Sequence, residues 1–197
     1  MKHVPLVAAV VEGSLTPAAI AMGWLLGTPP LATVFHFDWR DALLGVAATL
    51  PPLGLFWLCL VCPWRPFAEI AKITEETLVP LFRDCRLVQL AIIAALAGVG
   101  EETLFRGVIQ AAAAQQIGGA YGVWLGLLVA AVLFGLLHCV TPMYAILAGL
   151  VGLYLGGLWL ACGNLLTPIV THGMYDFLAL VYLVKVRGGG REERGEE

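Results

Sequence analysis

Charge is what this sequence has least of. Only 13% of its 197 residues are Asp, Glu, Lys or Arg, where soluble domains carry roughly 25%. A chain so poor in charge cannot cover a folded surface that faces water on all sides. Basic residues are not in excess: 11 Lys and Arg against 14 Asp and Glu give a net charge of −3. No basic patch is available to neutralise phosphates, which excludes nucleic acid as a partner. Cysteines are few and odd in number (Cys59, Cys62, Cys85, Cys139, Cys162), and four lie within or at the ends of apolar stretches, so no disulfide framework is expected. Cys59-x-x-Cys62 has the spacing of half a metal site, but no second pair follows, and coincidence explains it. Internal repeats are missing too: residues 1–86 and 87–186 show no correspondence, which counts against a transporter built from repeated halves.

What the sequence has is hydrocarbon. Hydrophobic residues make up 60% of the chain and the mean hydropathy is +0.88. The longest apolar stretches run about 17 to 25 residues, the length a helix needs to cross a hydrocarbon core of roughly 30 Å. The expected fold is all-α: a polytopic transmembrane bundle of about six spans plus one interfacial amphipathic helix. The first span runs from about Val4 to Leu26; its length and Glu12 argue against a cleaved signal peptide. The second runs from about Ala42 to Cys62, kinked or broken at Pro51-Pro52. In Trp64 to Arg86, Phe67, Ile70, Ile73 and Leu78 recur at helical spacing among charged residues, as in a helix lying in the membrane interface. The third span starts near Leu87 and continues to about Gln116, where Gly118-Gly119 ends it. The remaining spans are Tyr121 to His138, Met143 to Ala161 and Leu165 to Val186.

The chain divides into an N-terminal membrane segment (1–86), a core (87–186) and a disordered polar tail (187–197). With six spans, Lys2, the group Arg65, Lys72, Arg83, Arg86 and the group Lys185, Arg187, Arg191, Arg194 fall on one side, and only Arg40 on the other. The positive-inside rule then puts both termini in the cytoplasm of a multi-pass plasma-membrane protein. Gly122-x-x-x-Gly126 and Gly152-x-x-x-Gly156 are expected to pack helices closely.

Ionisable side chains inside a span cost roughly 2.5 to 3.5 kcal/mol each on insertion scales. Here they are Glu12, Glu101, Glu102, Arg106, His138, His172 and Asp176, and all but Glu12 fall into three groups. In Glu101-Glu102-x-x-x-Arg106, Glu102 and Arg106 are i and i+4 on one helix face and can pair, while Glu101 is rotated about 100° away. A desolvated carboxylate without its own cation is suited to act as a general base. Phe134-x-x-x-His138 ends the fourth span, and His172-x-x-x-Asp176 puts an imidazole and a carboxylate on one face of the sixth. Taken singly, each group has a plain structural reading: a buried ion pair, a satisfied imidazole, interhelical hydrogen-bonding glue. Together they offer an acid–base or metal-site inventory to one cavity. Glu12 lines that cavity or serves structure only.

The ordered set Glu-Glu-x-x-x-Arg, Phe-x-x-x-His and His-x-x-x-Asp, spread over about residues 87–186, resembles the CPBP intramembrane proteases, the family of type II CAAX prenyl endopeptidases and abortive-infection proteins. The resemblance implies a helical membrane endopeptidase with a water-filled cavity. By position, Glu101 and His138 would activate water, His172 and Asp176 would hold the oxyanion, and Glu102 and Arg106 would order the site. The family commonly has Asn where Asp176 stands; an Asp donates a hydrogen bond only when protonated, so its alternative role is to orient His172. No cofactor is expected; the alternative is zinc held by Glu101, His138 and His172, although the chain lacks the His-Glu-x-x-His helix of zinc proteases.

The expected activity is therefore hydrolysis of peptide bonds in membrane-associated proteins or peptides, prenylated CAAX-type or leader-peptide substrates among them. The rivals are a non-enzymatic immunity factor or scaffold on the same fold and a proton-coupled transporter. The expected partners are the lipid bilayer and that substrate; oligomeric state is not readable. A strict up-and-down path would separate His138 from His172, so a break inside the membrane near Thr141-Pro142 is predicted to bring them together.

Overall fold

A computed structural model describes residues 3–29, 35–119 and 121–188. Every regular element among them is helical. α1 spans Val4–Leu26, α2 Trp39–Ala47, α3 Leu50–Val61, α4 Arg65–Phe82 and α5 Leu87–Glu102; a π-helical segment, π1, follows at Thr103–Gln110 and leads into α6, Ala111–Ile117. α7 covers Gly122–Leu137, α8 Pro142–Cys162 and α9 Leu166–Val181, with a second π segment, π2, at Tyr182–Arg187. The protein is a polytopic helical membrane bundle. The polar tail expected from Arg187 lies outside the described residues from 189 onward, and Arg187 itself is helical.

Five of the helical stretches are long and apolar enough to cross a bilayer: 4–26, 39–61, 87–117, 142–162 and 166–187. With the shorter apolar helix α7 they make up the expected set of about six. The fourth expected span, α7, has 16 residues and rises about 24 Å, short of the roughly 30 Å core. Residues 138–141 separate it from α8, whose N-cap Thr141 accepts a hydrogen bond from the Tyr144 N–H and whose first residue is Pro142. The second span differs in detail as well. The chain breaks before the prolines, at Ala48-Thr49, and Pro51 and Pro52 occupy the first turn of α3, where their missing N–H groups cost nothing.

Interhelical contact is made through glycines, as expected where lipid removes the hydrophobic drive between helices. A Cβ at Gly98 would lie 2.8 Å from the Ile169 carbonyl and 2.9 Å from the Gly173 nitrogen, so α5 and α9 touch backbone to backbone. At Gly135 it would stand 2.5 Å from the Ala145 carbonyl, joining α7 to α8. Gly122 and Gly126 meet the backbone of Ala114 and Gln110 in the same way. α2 is fastened to α9 by polar groups: the buried Asn164 amide donates to the Asp41 carboxylate at 2.7 Å and to the His36 carbonyl at 2.9 Å, and Thr171 donates to the Gly45 carbonyl at 3.0 Å.

The amphipathic helix α4 forms where the sequence places it. Its Phe67 and Ile70 pack with Cys59, Met143 and Leu147, and its Phe82 packs with Leu90, Ile93 and Val184. Its apolar face is thus turned onto the bundle, while Lys72 and Glu76 pair on its exposed side.

Candidate active site

The site is assembled where α5 gives way to π1. Glu101 and Glu102 are the last α-helical residues before the wider π turn, a change of helix type that recurs at functional sites. Glu102 is wholly buried. Its Oε1 accepts from Arg106 Nη1 at 2.9 Å and from His172 Nδ1 at 2.7 Å. Arg106, 1% exposed, reaches across to α8 and donates from Nη2 to the Gly152 carbonyl at 2.8 Å. Its guanidinium lies 4.9 Å from the Phe134 ring centroid, a cation–π contact strengthened by exclusion of water. Gln110, one π1 turn further on, donates to the Gly156 carbonyl. The glycines of Gly152-x-x-x-Gly156 thus lend carbonyls as well as space.

Glu101 points elsewhere. Its Oε2 stands 3.6 Å from His138 Nε2, too long for a direct hydrogen bond. The imidazole is fixed from its other side: Nδ1 is 2.8 Å from the Phe134 carbonyl, which can only accept, so Nδ1 carries a proton. In the neutral ring Nε2 is then an acceptor facing the carboxylate. The ring also stacks on Phe134, with centroids 4.3 Å apart and planes 23° from parallel.

His172 is held at both nitrogens, by Glu102 at Nδ1 and by Asp176 Oδ2, 3.4 Å from Nε2. Its ring meets Phe134 edge-on at 6.0 Å. Phe134 is therefore the wedge common to both histidines. Phe105 packs on it in turn, with centroids 4.9 Å apart.

Glu101, His138, His172 and Asp176 line one cavity of about 350 Å³, with Phe134 between them. Glu102 and Arg106 sit behind it and do not line it. The larger part of the wall is apolar or aromatic, including Phe56, Leu60, Tyr144, Leu147 and Tyr175, together with Ile70, Leu78 and Phe82 of α4. The α4 face that the sequence assigns to lipid thus closes the cavity. Glu12 of α1 lines it as well. All six residues of the three motifs are brought together. What spacing did not supply is the Glu102–His172 bond, the wedge role of Phe134, and the arrival of Tyr144 and Tyr175, because each depends on contact between helices distant in sequence.

The described cysteines are all free thiols. Among the described residues no group of three or more His, Cys, Asp or Glu side chains is placed to hold a metal ion. The trio Glu101, His138 and His172 does not fit a zinc ion in this arrangement: Glu101 faces His138, whereas His172 is committed to Glu102 and Asp176.

Residues 84–178 match the family model described as type II CAAX prenyl endopeptidase Rce1-like. No curated protein and no solved structure matches the chain. The matched segment holds all six motif residues and leaves out Glu12 and the whole of the first four helices. Residues 84–178, just under half of this multi-pass membrane protein, are thus similar to the Rce1-like type II CAAX prenyl endopeptidases, a family of peptidases in keeping with the CPBP resemblance of the motifs.

Proposed function

We propose that the protein is an intramembrane endopeptidase that hydrolyses a peptide bond of a membrane-anchored substrate with a water activated by Glu101 and His138, without a metal ion. The observation that carries this reading is the facing pair itself. Glu101 Oε2 and His138 Nε2 are 3.6 Å apart on the cavity wall, and the tautomer of His138 is set by the Phe134 carbonyl. Both facing atoms are acceptors, so a water between them donates both hydrogens and turns a lone pair toward the cavity. Glu101 takes a proton as the oxygen attacks the scissile carbonyl carbon.

The developing oxyanion needs a donor, and His172 is the fixed one, acting as an imidazolium between the Glu102 and Asp176 carboxylates so that both ring nitrogens carry a proton. Glu102 holds its Nδ1, and its Nε2 lies toward Asp176 at the cavity surface. Losing such a donor costs about 2.7 to 4 kcal/mol of transition-state stabilisation. Asp176, 3.4 Å from that nitrogen, orients the ring. Arg106 and Glu102 keep His172 in place from behind. The apolar remainder of the cavity suits an isoprenoid or aliphatic chain. Prenylated CAAX-type peptides are the first substrate class, and leader peptides are the alternative.

The test is cleavage of a panel of membrane-anchored peptides, farnesylated CAAX-type and leader peptides among them, by reconstituted wild-type protein and Glu101→Gln, with and without chelator. The expected result is cleavage by the wild type that survives chelator and is lost in the variant at unchanged thermal stability. Activity abolished by chelator and restored by zinc would overturn the metal-free mechanism. No cleavage of any peptide by folded wild-type protein would favour the scaffold.

A further inference from the structure

Hydrolysis of an amide needs a proton taken from water and a proton given to the departing nitrogen, and two groups can divide these duties. The matched segment supplies the first in Glu101. The other carboxylates of its motifs have other ties: Glu102 lies behind the cavity with Arg106 and His172, and Asp176 faces His172. One further carboxylate lines the cavity, and it comes from outside that segment.

Glu12 stands in the middle of α1 and lines the same cavity as Glu101, His138, His172 and Asp176. Its Oε2 is buried and has no hydrogen-bond partner among the described residues. It is seated by a close helix approach immediately before Glu101 in sequence: a Cβ at Gly100 would lie 2.8 Å from the Glu12 carbonyl oxygen and 2.9 Å from Leu15 Cβ. An acid at this depth costs roughly 2.5 to 3.5 kcal/mol to insert, and no ion pair among the described residues offsets that cost.

We propose that Glu12 is a catalytic residue of this site, the acid that protonates the leaving amine. The inference rests on the hydrolase reading above. The water oxygen forms the new C–O bond while a water proton passes to Glu101. The tetrahedral oxyanion then re-forms the carbonyl, the C–N bond breaks with its electron pair on nitrogen, and nitrogen takes the proton of the Glu12 carboxyl. The products are a carboxylic acid and an amine. The proton on Glu101 returns to the Glu12 carboxylate and resets the pair. Two carboxylates in one cavity with divided acid and base duties are an established solution in other hydrolases.

The experiment compares wild type, Glu12→Gln, Glu12→Asp and Glu101→Gln, each full length in liposomes. The substrates are two farnesylated CAAX-type peptides identical except that the scissile linkage is an amide in one and a thioester in the other. A thiolate leaves without a proton, so only the amide needs the acid. Glu12→Gln is expected to lower kcat on the amide by about 10²- to 10⁴-fold and on the thioester by less than about tenfold. Glu12→Asp, which keeps the acid on a shorter arm, should recover part of the amide rate. Glu101→Gln should lose both reactions, since both need activated water. Equal losses on the two linkages in Glu12→Gln, or no loss on either, would overturn the role of Glu12 while leaving the hydrolase reading intact. A wild-type protein that cleaves neither linkage would overturn the CAAX-type hydrolase reading, and this inference with it.

Discussion

Replacing Arg106 by Met should destabilise the bundle more than any other single change at the site, by about 3 to 5 kcal/mol. The magnitude follows from what the guanidinium leaves behind. Its bond to the Gly152 carbonyl is one interhelical hydrogen bond, worth about 0.6 kcal/mol on average in a bilayer and about 1.7 at most. Its position over Phe134 adds about 2 kcal/mol in a water-excluded site. The largest part is Glu102, wholly buried, which would keep only His172 as a partner. Arg106→Lys retains the charge and loses the fork that reaches Glu102 and Gly152 together, so it should cost only about 1 to 2 kcal/mol. Adding Glu102→Gln to Arg106→Met should recover part of the loss, because the stranded carboxylate is then gone. The assay is reversible unfolding in mixed micelles followed by tryptophan fluorescence, read as a double-mutant cycle. Equal costs for Met and Lys, or additive effects in the double variant, would refute the claim that the abandoned charge dominates.

Two further outcomes follow from the same geometry. Gly98→Ala should cost about 1 to 3 kcal/mol, because the added methyl meets the Ile169 carbonyl and the Gly173 nitrogen under 3 Å. Gly54→Ala, with nothing within 4 Å, should be neutral or slightly stabilising in the same unfolding assay, and a matching loss at both positions would show that packing is not the cause. At Asp176, loss of one hydrogen bond to a charged ring is worth about 1.5 to 3 kcal/mol. Asp176→Ala should therefore lower kcat about 10- to 100-fold at steady KM. Asp176→Asn, whose carbonyl oxygen still accepts from His172 Nε2, should stay within about tenfold of wild type. An Asn variant as slow as the Ala variant would mean that the charge, and not the orientation of the ring, is what matters.

The membrane class, the helix positions and the three motif groups were legible because they rest on local regularities. Apolar run length fixes spans, and i, i+4 spacing pairs Glu102 with Arg106. Legibility ended where a partner had to be chosen from another helix. His172 and Asp176 read as a pair from spacing, yet the shorter bond of His172 is to Glu102, 70 residues away in sequence. The amphipathic pattern of α4 told which face is apolar and not what it covers, since lipid and an apolar cavity wall ask for the same side chains. The fourth expected span is matched by α7 almost residue for residue, and only its 16-residue length sets it apart from the five longer apolar helices among the described residues.

The π segment between Thr103 and Gln110 acts as a phase shifter within one long rod. In an uninterrupted α-helix each added residue turns the downstream faces by about 100°, so the direction of Glu101 and Glu102 would dictate that of every residue to Ile117. The wider turn uncouples the two ends. Upstream, Gly98 and Gly100 face α9 and α1; downstream, Ala114 meets Gly122 and Gly126 of α7. Each end docks at its own azimuth, and Arg106 and Gln110 in the segment reach α8 through the carbonyls of Gly152 and Gly156. Four helices are aligned on one rod without forcing the carboxylates off their target, and the cavity inherits its geometry from that single local rewinding.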